Sequence, residues 1–280
     1  MCHSTDSRPP AAPGHGAVAE FGGLELVASD GTVFSAFQAA PATPNGMNVV
    51  ILPDVRGVHP YYQELAQRFA EAGFHTVAID YYGRTAGTGE RDDDFDWQAH
   101  LPKVQPAQVA LDVRAAAAEL TRRNPGPVFT VGFCFGGSQS WRLSAGEVDL
   151  AGVIGFYGQP KLVEDVLADF STPALLLIAG ADVATTQDEF GEFTAALDAA
   201  GKTYEKYVYD GAPHSFFDRA FGEWEAACDD AWQRVLAFTR LHGGKADATV
   251  DAVADAAAAD PAVADAAVTD PAVADAAVGA

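Results

Sequence analysis

The 280-residue chain has few cysteines, few cations and no long apolar run. Its three cysteines, Cys2, Cys134 and Cys228, form neither a CxxC pair nor a Cys/His zinc spacing, so we expect no disulfide framework, metal or cofactor. Only 17 Lys and Arg stand against 39 Asp and Glu, and the net charge of −22 opposes binding to nucleic acids or anionic lipids. Neither a membrane span nor the apolar core of a signal peptide is present in the sequence. These absences predict a cytoplasmic protein without nucleic-acid or membrane partners.

The composition that remains is globular and divides the chain into three zones. Residues 1–20 are rich in Pro, Gly, Ser and His without hydrophobic period, which predicts a flexible arm. Residues 244–280 consist mostly of Ala, Val, Asp and Pro and repeat a ten-residue unit, which is too short to form its own core. We expect a solvated tail there, with a short partner-binding helix as the alternative. The folded domain is predicted over residues 21–243.

The central zone alternates apolar strands with amphipathic helices. Two extended runs joined by Ser29-Asp30-Gly31 predict an antiparallel hairpin at its start. Wholly apolar runs of strand length follow, separated by segments of helical spacing, and the clearest example is Asn48–Leu52. A strand without a polar face has to be covered on both sides, so the pattern predicts an α/β fold with a mainly parallel sheet flanked by helices. Ligands of such sheets bind beyond the carboxyl ends of the strands.

The segment Gly132–Gly137, GFCFGG, lies where a predicted strand meets a predicted helix. It fits the nucleophile elbow, in which small flanking residues allow a sharp turn that lifts the central side chain above the sheet. The central residue here is Cys134, and the N-terminus of a helix favours the reactive thiolate. A buried, inert cysteine is the alternative interpretation.

An elbow nucleophile needs an acid and a base that follow it in the chain, each in a loop after a strand. Asp182 follows the apolar run PALLLIA, and His214 follows TYEKYVY. An imidazole oriented by a carboxylate can take the proton of the nucleophile and return it to the leaving group. The backbone N–H groups of Val55 and Phe135 are the expected oxyanion donors. Asp54, one residue before Val55, is expected near the thiol.

Five segments together, GFCFGG, PDVRGVHPYY, DYYGR, GAD and GAPHSF, resemble the dienelactone hydrolase family. This family comprises cysteine-using members of the α/β-hydrolase fold, and the resemblance covers about residues 24–241. It implies Cys134 as the nucleophile, His214 as the base and Asp182 as the acid that orients it. The family glutamate that holds the resting thiol corresponds to Asp54, which is one methylene shorter.

The same resemblance implies a site for a substrate carboxylate. Arg84 matches the first of two family arginines, and Tyr82 matches an aromatic lining residue. The second arginine position is occupied by Asp218, with Arg219 one step later. A carboxylate in the pocket would repel an anionic substrate, so either Arg56 and Arg219 substitute for the missing arginine or the preferred substrate is a neutral or differently shaped ester.

The resemblance and the triad together predict a hydrolase of small esters or lactones, carboxymethylenebutenolidase-like, that forms a thioester acyl-enzyme. An acyltransferase or thioesterase could use the same elbow, and a catalytically silent member could bind ligands instead. The insertion over residues 85–105 is expected to cover the cleft.

Overall fold

The computed structural model describes residues 7–146, 148–218, 220 and 222–244. Arg219 and nearly all of the predicted tail lie outside these residues. Within the described part, eight strands form one sheet in the order β1-β2-β4-β3-β5-β6-β7-β8. The strands are β1 (Val18–Val27), β2 (Val33–Pro41), β3 (Asn48–Leu52), β4 (His75–Ile79), β5 (Val128–Phe133), β6 (Gly152–Phe156), β7 (Ala174–Ala179) and β8 (Tyr204–Tyr209).

The sheet is antiparallel only at its N-terminal edge. β1 pairs with β2, and β2 with β4, in antiparallel register, and the other neighbours are parallel. The predicted parallel sheet with an antiparallel hairpin is therefore confirmed. The hairpin begins earlier than its apolar pattern indicates, because Phe21 pairs with Ala39 although Gly22 and Gly23 interrupt the alternation of side chains.

Helices cover both faces of the sheet. They are α1 (Pro60–Glu71), α2 (Gly83–Ala86), α3 (Trp97–His100), α4 (Pro106–Arg123), α5 (Phe135–Arg142), α6 (Gln187–Ala199) and α7 (Glu225–His242), with short 3-10 turns between them. Val49 and Ile51 of β3 pack in the core layer of α1 and α7, and Val50 and Leu52 pack with α4 and α6. This two-sided burial explains the uninterrupted apolar strands. No helix in the described ranges has the length and apolarity that crossing a membrane requires.

The flexible arm predicted for residues 1–20 differs from the structure. Ser7, Pro9, Pro10 and Ala12 are buried against the domain, and β1 already begins at residue 18. Nothing in the sequence indicates this order, because the described residues before β1 form no helix or strand with a periodic pattern. They are held by prolines, whose φ is preset, and by contacts to residues that are distant in the chain. Residues 1–6 lie outside the described part.

The insertion, which we call the cap segment (residues 85–105), is anchored by a buried ion pair. Arg91 donates from Nη2 to Oδ2 of Asp80 at 2.9 Å, and only 4% of the Arg91 side chain is exposed. Asp80 directly follows β4 and also accepts from the backbone N–H of Tyr82. The guanidinium lies 4.6 Å from the ring centroid of Phe95. Burial raises the pKa of Asp80 and the charge of Arg91 opposes this, so each charge depends on the other.

Loss of one partner of this pair is expected to destabilise the whole domain. Arg91→Met leaves the Asp80 carboxylate buried without its cation, and we expect a loss of about 3–5 kcal/mol in the free energy of unfolding by urea. The control is Arg122→Met. The Arg122 side chain is 69% exposed and pairs with Glu119, so this variant should lower the free energy of unfolding by less than about 1 kcal/mol. The double variant Arg91→Met/Asp80→Asn should recover part of the loss. Equal effects of the two single variants would contradict the anchoring role of Arg91.

Candidate active site

Cys134 stands at the turn between β5 and α5. Its backbone has φ 55° and ψ −115°, a conformation that is strained for a side chain with a Cβ. The turn closes because Gly132 and Gly136 have no side chain. A Cβ on Gly132 would lie 1.9 Å from the carbonyl oxygen of Gly136, and one on Gly136 would lie 2.1 Å from that of Leu52. The elbow spacing of the sequence is therefore matched by an elbow geometry.

His214 and Asp182 form a hydrogen-bonded pair. His214 Nδ1 lies 2.8 Å from Asp182 Oδ2, and the Asp182 side chain is fully buried. The other carboxylate oxygen accepts from the backbone N–H of Ala184 at 2.7 Å. A carboxylate accepts hydrogen bonds, so Nδ1 is the donor in this contact and Nε2 is not engaged by Asp182. This orientation of the ring is the one that the predicted role of His214 as a base requires.

Tyr157 packs against His214 beside the elbow. Its ring centroid lies 4.9 Å from that of His214. Tyr157 directly follows β6 with a φ of 38°, and the carbonyl of the preceding residue, Phe156, accepts from the backbone N–H of Cys134 at 3.0 Å. Burial raises the pKa of Tyr157, and the charges of Tyr61, Asp54 and Cys134 raise it further.

The two predicted oxyanion donors, Val55 and Phe135, lie just after two adjacent strands of the sheet, β3 and β5. Leu52 of β3 pairs in parallel register with Gly132 of β5, and Val55 and Phe135 each lie three residues further along. Phe135 is the first residue of α5, where backbone N–H groups have no partner within the helix. The carbonyl of Val55 accepts from the Tyr82 hydroxyl, which fixes the turn after β3.

Asp54 is held by Arg56 through hydrogen bonds to both carboxylate oxygens. Arg56 Nη2 donates to Oδ2 at 3.0 Å, Nε lies 3.1 Å from Oδ1, and the backbone N–H of Arg56 donates to Oδ1 at 2.8 Å. The guanidinium also lies over the rings of Tyr61 and Tyr62. Burial acts against the charge of Arg56, but the Asp54 carboxylate outweighs it and raises the pKa of Arg56. Arg56 is therefore held as a cation beside Asp54.

Arg84, the predicted substrate clamp, has its guanidinium occupied. Nη1 and Nη2 donate to Asp112 at 2.8 and 2.9 Å, and Nε donates to Asp30 at 2.9 Å. Asp30 belongs to the hairpin turn, so Arg84 joins that turn to α4. Tyr82 is completely buried, with its ring 5.0 Å from that of Phe95. These side chains hold the fold around the site.

Asp218, which replaces the second family arginine, faces the amino-terminal segment. Its oxygens accept from the Ser7 hydroxyl and from the backbone N–H groups of Arg8 and Ala220. We expected the Asp218 carboxylate to repel an anionic substrate, which requires that it faces the pocket. Instead, its oxygens are bonded to these donors. Arg219 lies outside the described residues.

His59 has a structural role that was not predicted from the sequence. Its Nδ1 accepts from the backbone N–H of Tyr61 and caps α1, so the proton is on Nε2, which donates to Asp93 at 3.0 Å. Asp93 belongs to the cap segment. Burial lowers the pKa of His59, and the charge of Arg56 lowers it further, while Asp93 opposes both. His59 thus joins the cap segment to the loop of Asp54 and Arg56 as a neutral ring.

Comparisons with known proteins identify the family of this chain. Residues 34–243 match the model of the dienelactone hydrolase family. The chain belongs to the dienelactone hydrolase family. A Salmonella typhi protein named "Putative carboxymethylenebutenolidase" is 29% identical over 241 residues, which cover 80% of this chain and 88% of that protein. A protein of the same name from Escherichia coli strain K12 is also 29% identical, over 242 residues.

Solved structures agree with this assignment. The crystal structure titled as a putative dienelactone hydrolase of Klebsiella pneumoniae has a TM-score of 0.67 and 27% identity, covering 78% of this chain and 98% of that one. A promiscuous, dienelactone hydrolase-like phosphotriesterase from metagenomic libraries has a TM-score of 0.65 at 19% identity, covering 80% and 99%, and shares the fold. The expected family and α/β-hydrolase fold are confirmed, and as a member of this family the protein is a hydrolase of carboxylic esters.

The neutral state of His59 predicts how stability changes with pH. A histidine whose pKa in the folded protein lies below the unfolded value of 6.5 stabilises the fold above that pH, and this contribution is lost as the pH falls. Protonation also turns Nδ1 into a donor that faces the donor N–H of Tyr61. His59→Asn keeps an N-cap acceptor that does not titrate. Urea unfolding at pH 7.5 and 5 should show a larger loss for the wild type than for this variant, and parallel losses would contradict the assignment.

Proposed function

We propose that the protein hydrolyses small carboxylic esters or lactones through a thioester on Cys134, with His214 as base and Asp182 as its orienting acid. The observation that carries the proposal is the 2.8 Å bond between His214 Nδ1 and Asp182, which leaves Nε2 as the basic nitrogen. The strained elbow of Cys134 supports it, as do the packing of Tyr157 against His214 and the bond from the Cys134 N–H to the carbonyl of the adjacent Phe156. The proposed site lies at the carboxyl edge of the sheet, where α/β proteins bind their ligands.

In the proposed reaction, His214 Nε2 takes the proton from the Cys134 thiol and the sulfur attacks the ester carbonyl carbon. The backbone N–H groups of Val55 and Phe135 hold the resulting oxyanion. The C–O bond of the ester then breaks, the leaving oxygen takes the proton from the imidazolium, and a thioester remains. Water attacks this thioester with Nε2 as the base, which releases the acid and restores the thiol. In a lactone the leaving oxygen stays attached to the acyl chain.

Asp54 is proposed to orient the site rather than to accept the thiol proton. Arg56 donates to both of its oxygens, and a carboxylate paired in this way is a weak base. A lone carboxylate near Cys134 would also oppose formation of the thiolate, and the charge of Arg56 offsets this effect. This arrangement favours His214 as the base.

Arg56 is also the proposed contact for an anionic group of the substrate. Arg84 donates with three nitrogens to Asp112 and Asp30, whereas Arg56 Nη1 has no hydrogen-bond partner among the described residues.

Cys134 and Cys228 are not joined by a disulfide, and a reducing compartment such as the cytoplasm is part of the proposal.

The covalent mechanism predicts a large effect of Cys134 and none of Cys228. In a Cys2→Ser background, Cys134→Ala should lower kcat/KM for aryl acetates and small lactones by at least about a thousandfold, and iodoacetamide should label Cys134 alone. Cys228→Ser is the control, because burial raises the pKa of the Cys228 thiol to about 12 and its sulfur donates to the carbonyl of Phe216. A Cys134→Ala variant within about tenfold of the wild type would overturn the mechanism.

The proposed anion contact predicts different substrate profiles for two arginine variants. Arg56→Gln should lower kcat/KM about tenfold or more for an ester that carries a carboxylate, relative to a neutral ester of similar size, because a charge-assisted hydrogen bond is lost. Arg84→Gln should reduce stability and leave the ratio of the two substrates within about twofold. Selective loss of the anionic substrate in Arg84→Gln would contradict the assignment to Arg56.

A further inference from the structure

The loop between β8 and α7 carries His214, and it ends on a buried carboxylate. Asp218 lies four residues after His214 and is 1% exposed. The Ser7 hydroxyl donates to one oxygen, and the N–H groups of Arg8 and Ala220 donate to the other at 3.0 and 2.9 Å. A buried carboxylate is costly unless donors surround it, so the loop depends on residues from the opposite end of the chain.

The residues between His214 and Asp218 are held from the core side. Phe216 and Phe217 are buried among aromatic rings, and Phe217 lies 4.6 Å from Phe156. The Tyr61 hydroxyl donates to the carbonyl of Phe217, and the Cys228 sulfur donates to that of Phe216. These contacts fix the middle of the loop, while Ser7 and Arg8 bind its end.

The partner of this loop is residues 7–13, which we call the strap. It contains three prolines, and Pro9 and Pro10 are buried. The Arg8 guanidinium returns to the carbonyl of Ser7 at 2.7 Å and lies 3.7 Å from Glu64 of α1. Beyond the strap, the N–H of Gly16 donates to the carbonyl of Glu71 at 3.1 Å. Prolines restrict the unfolded chain, so less conformational entropy is lost when the strap binds along α1 and the histidine loop.

We propose that the strap is a positioning element of the active site, which fixes the histidine loop through the contact of Ser7 and Arg8 with Asp218. The inference rests on the proposed function, in which His214 is the base. Asp218 and Ser7 are then positioning residues that act through the placement of His214. Proton transfer demands heavy-atom distances of about 2.6–3.2 Å, so a displacement of roughly 1 Å in this loop slows the reaction strongly.

The test compares Ser7→Ala and Asp218→Asn with the matched control Ala11→Ser. Ala11 belongs to the strap but is exposed, so the control changes a strap residue without touching the bonds to Asp218. For one aryl ester, we expect kcat to fall about tenfold in Ser7→Ala and Asp218→Asn with KM within about twofold, and Ala11→Ser to stay within about twofold in both. Alkylation of Cys134 by iodoacetamide should slow in the first two variants, and Ser7→Thr should restore part of kcat.

All assays are run at a temperature at which circular dichroism shows each variant to be folded. A decrease of kcat that only follows the folded fraction would overturn the proposal, as would unchanged kcat in Ser7→Ala and Asp218→Asn. Failure of the proposed function is a separate outcome, because it appears as retained hydrolysis in Cys134→Ala. Normal behaviour of the Cys134 and His214 variants together with unaffected strap variants would reject the strap alone.

Discussion

Five aspartates with buried carboxylates have to find donors, and the arrangement of the site follows from how each does so. Asp54, Asp80, Asp182 and Asp218 follow β3, β4, β7 and β8, and Asp112 lies in α4. The four strands run in parallel, so four of these carboxylates lie toward the same edge of the sheet. An uncompensated buried charge costs several kcal/mol, which makes each donor a requirement of the fold.

Although the chain has a net charge of −22, few cations are needed to pair its buried carboxylates. Each of three arginines pairs with one buried carboxylate: Arg56 with Asp54, Arg84 with Asp112 and Arg91 with Asp80. The imidazole of His214 pairs with Asp182. Asp218 accepts from the hydroxyl of Ser7 and from the backbone N–H groups of Arg8 and Ala220. Arg84, which matches a family arginine, pairs with two carboxylates of the fold, whereas Arg56 keeps one guanidinium nitrogen without a hydrogen-bond partner in the described part of the chain.

The sequence predicts those features whose signal is local. The apolar runs predict the strands because both faces of the sheet are covered, and the elbow glycines predict the turn at Cys134 because no larger residue fits there. Order along the chain was enough to select Asp182 and His214, which the structure pairs. Their shared role in catalysis stays a prediction.

Contacts between distant segments leave no such signal. Ser7 and Asp218 are 211 positions apart, and Arg84 and Asp112 are 28 apart. The sequence alone does not distinguish an arginine that binds substrate from one that pairs with a carboxylate of a neighbouring helix. For the same reason, a proline-rich arm with no hydrophobic period gives no indication of the carboxylate to which it is bonded.

The cap segment and the loop after β3 behave as one unit in this network. Asp93 bonds His59, Arg91 bonds Asp80, and the Tyr82 ring lies against Phe95 while its hydroxyl bonds the carbonyl of Val55. Moving the cap segment away would separate Arg91 from the buried carboxylate of Asp80 and would remove Phe95 from the Tyr82 ring. Because the Tyr82 hydroxyl holds the carbonyl of Val55, the position of the proposed oxyanion donor Val55 depends on the same contacts that hold the cap segment.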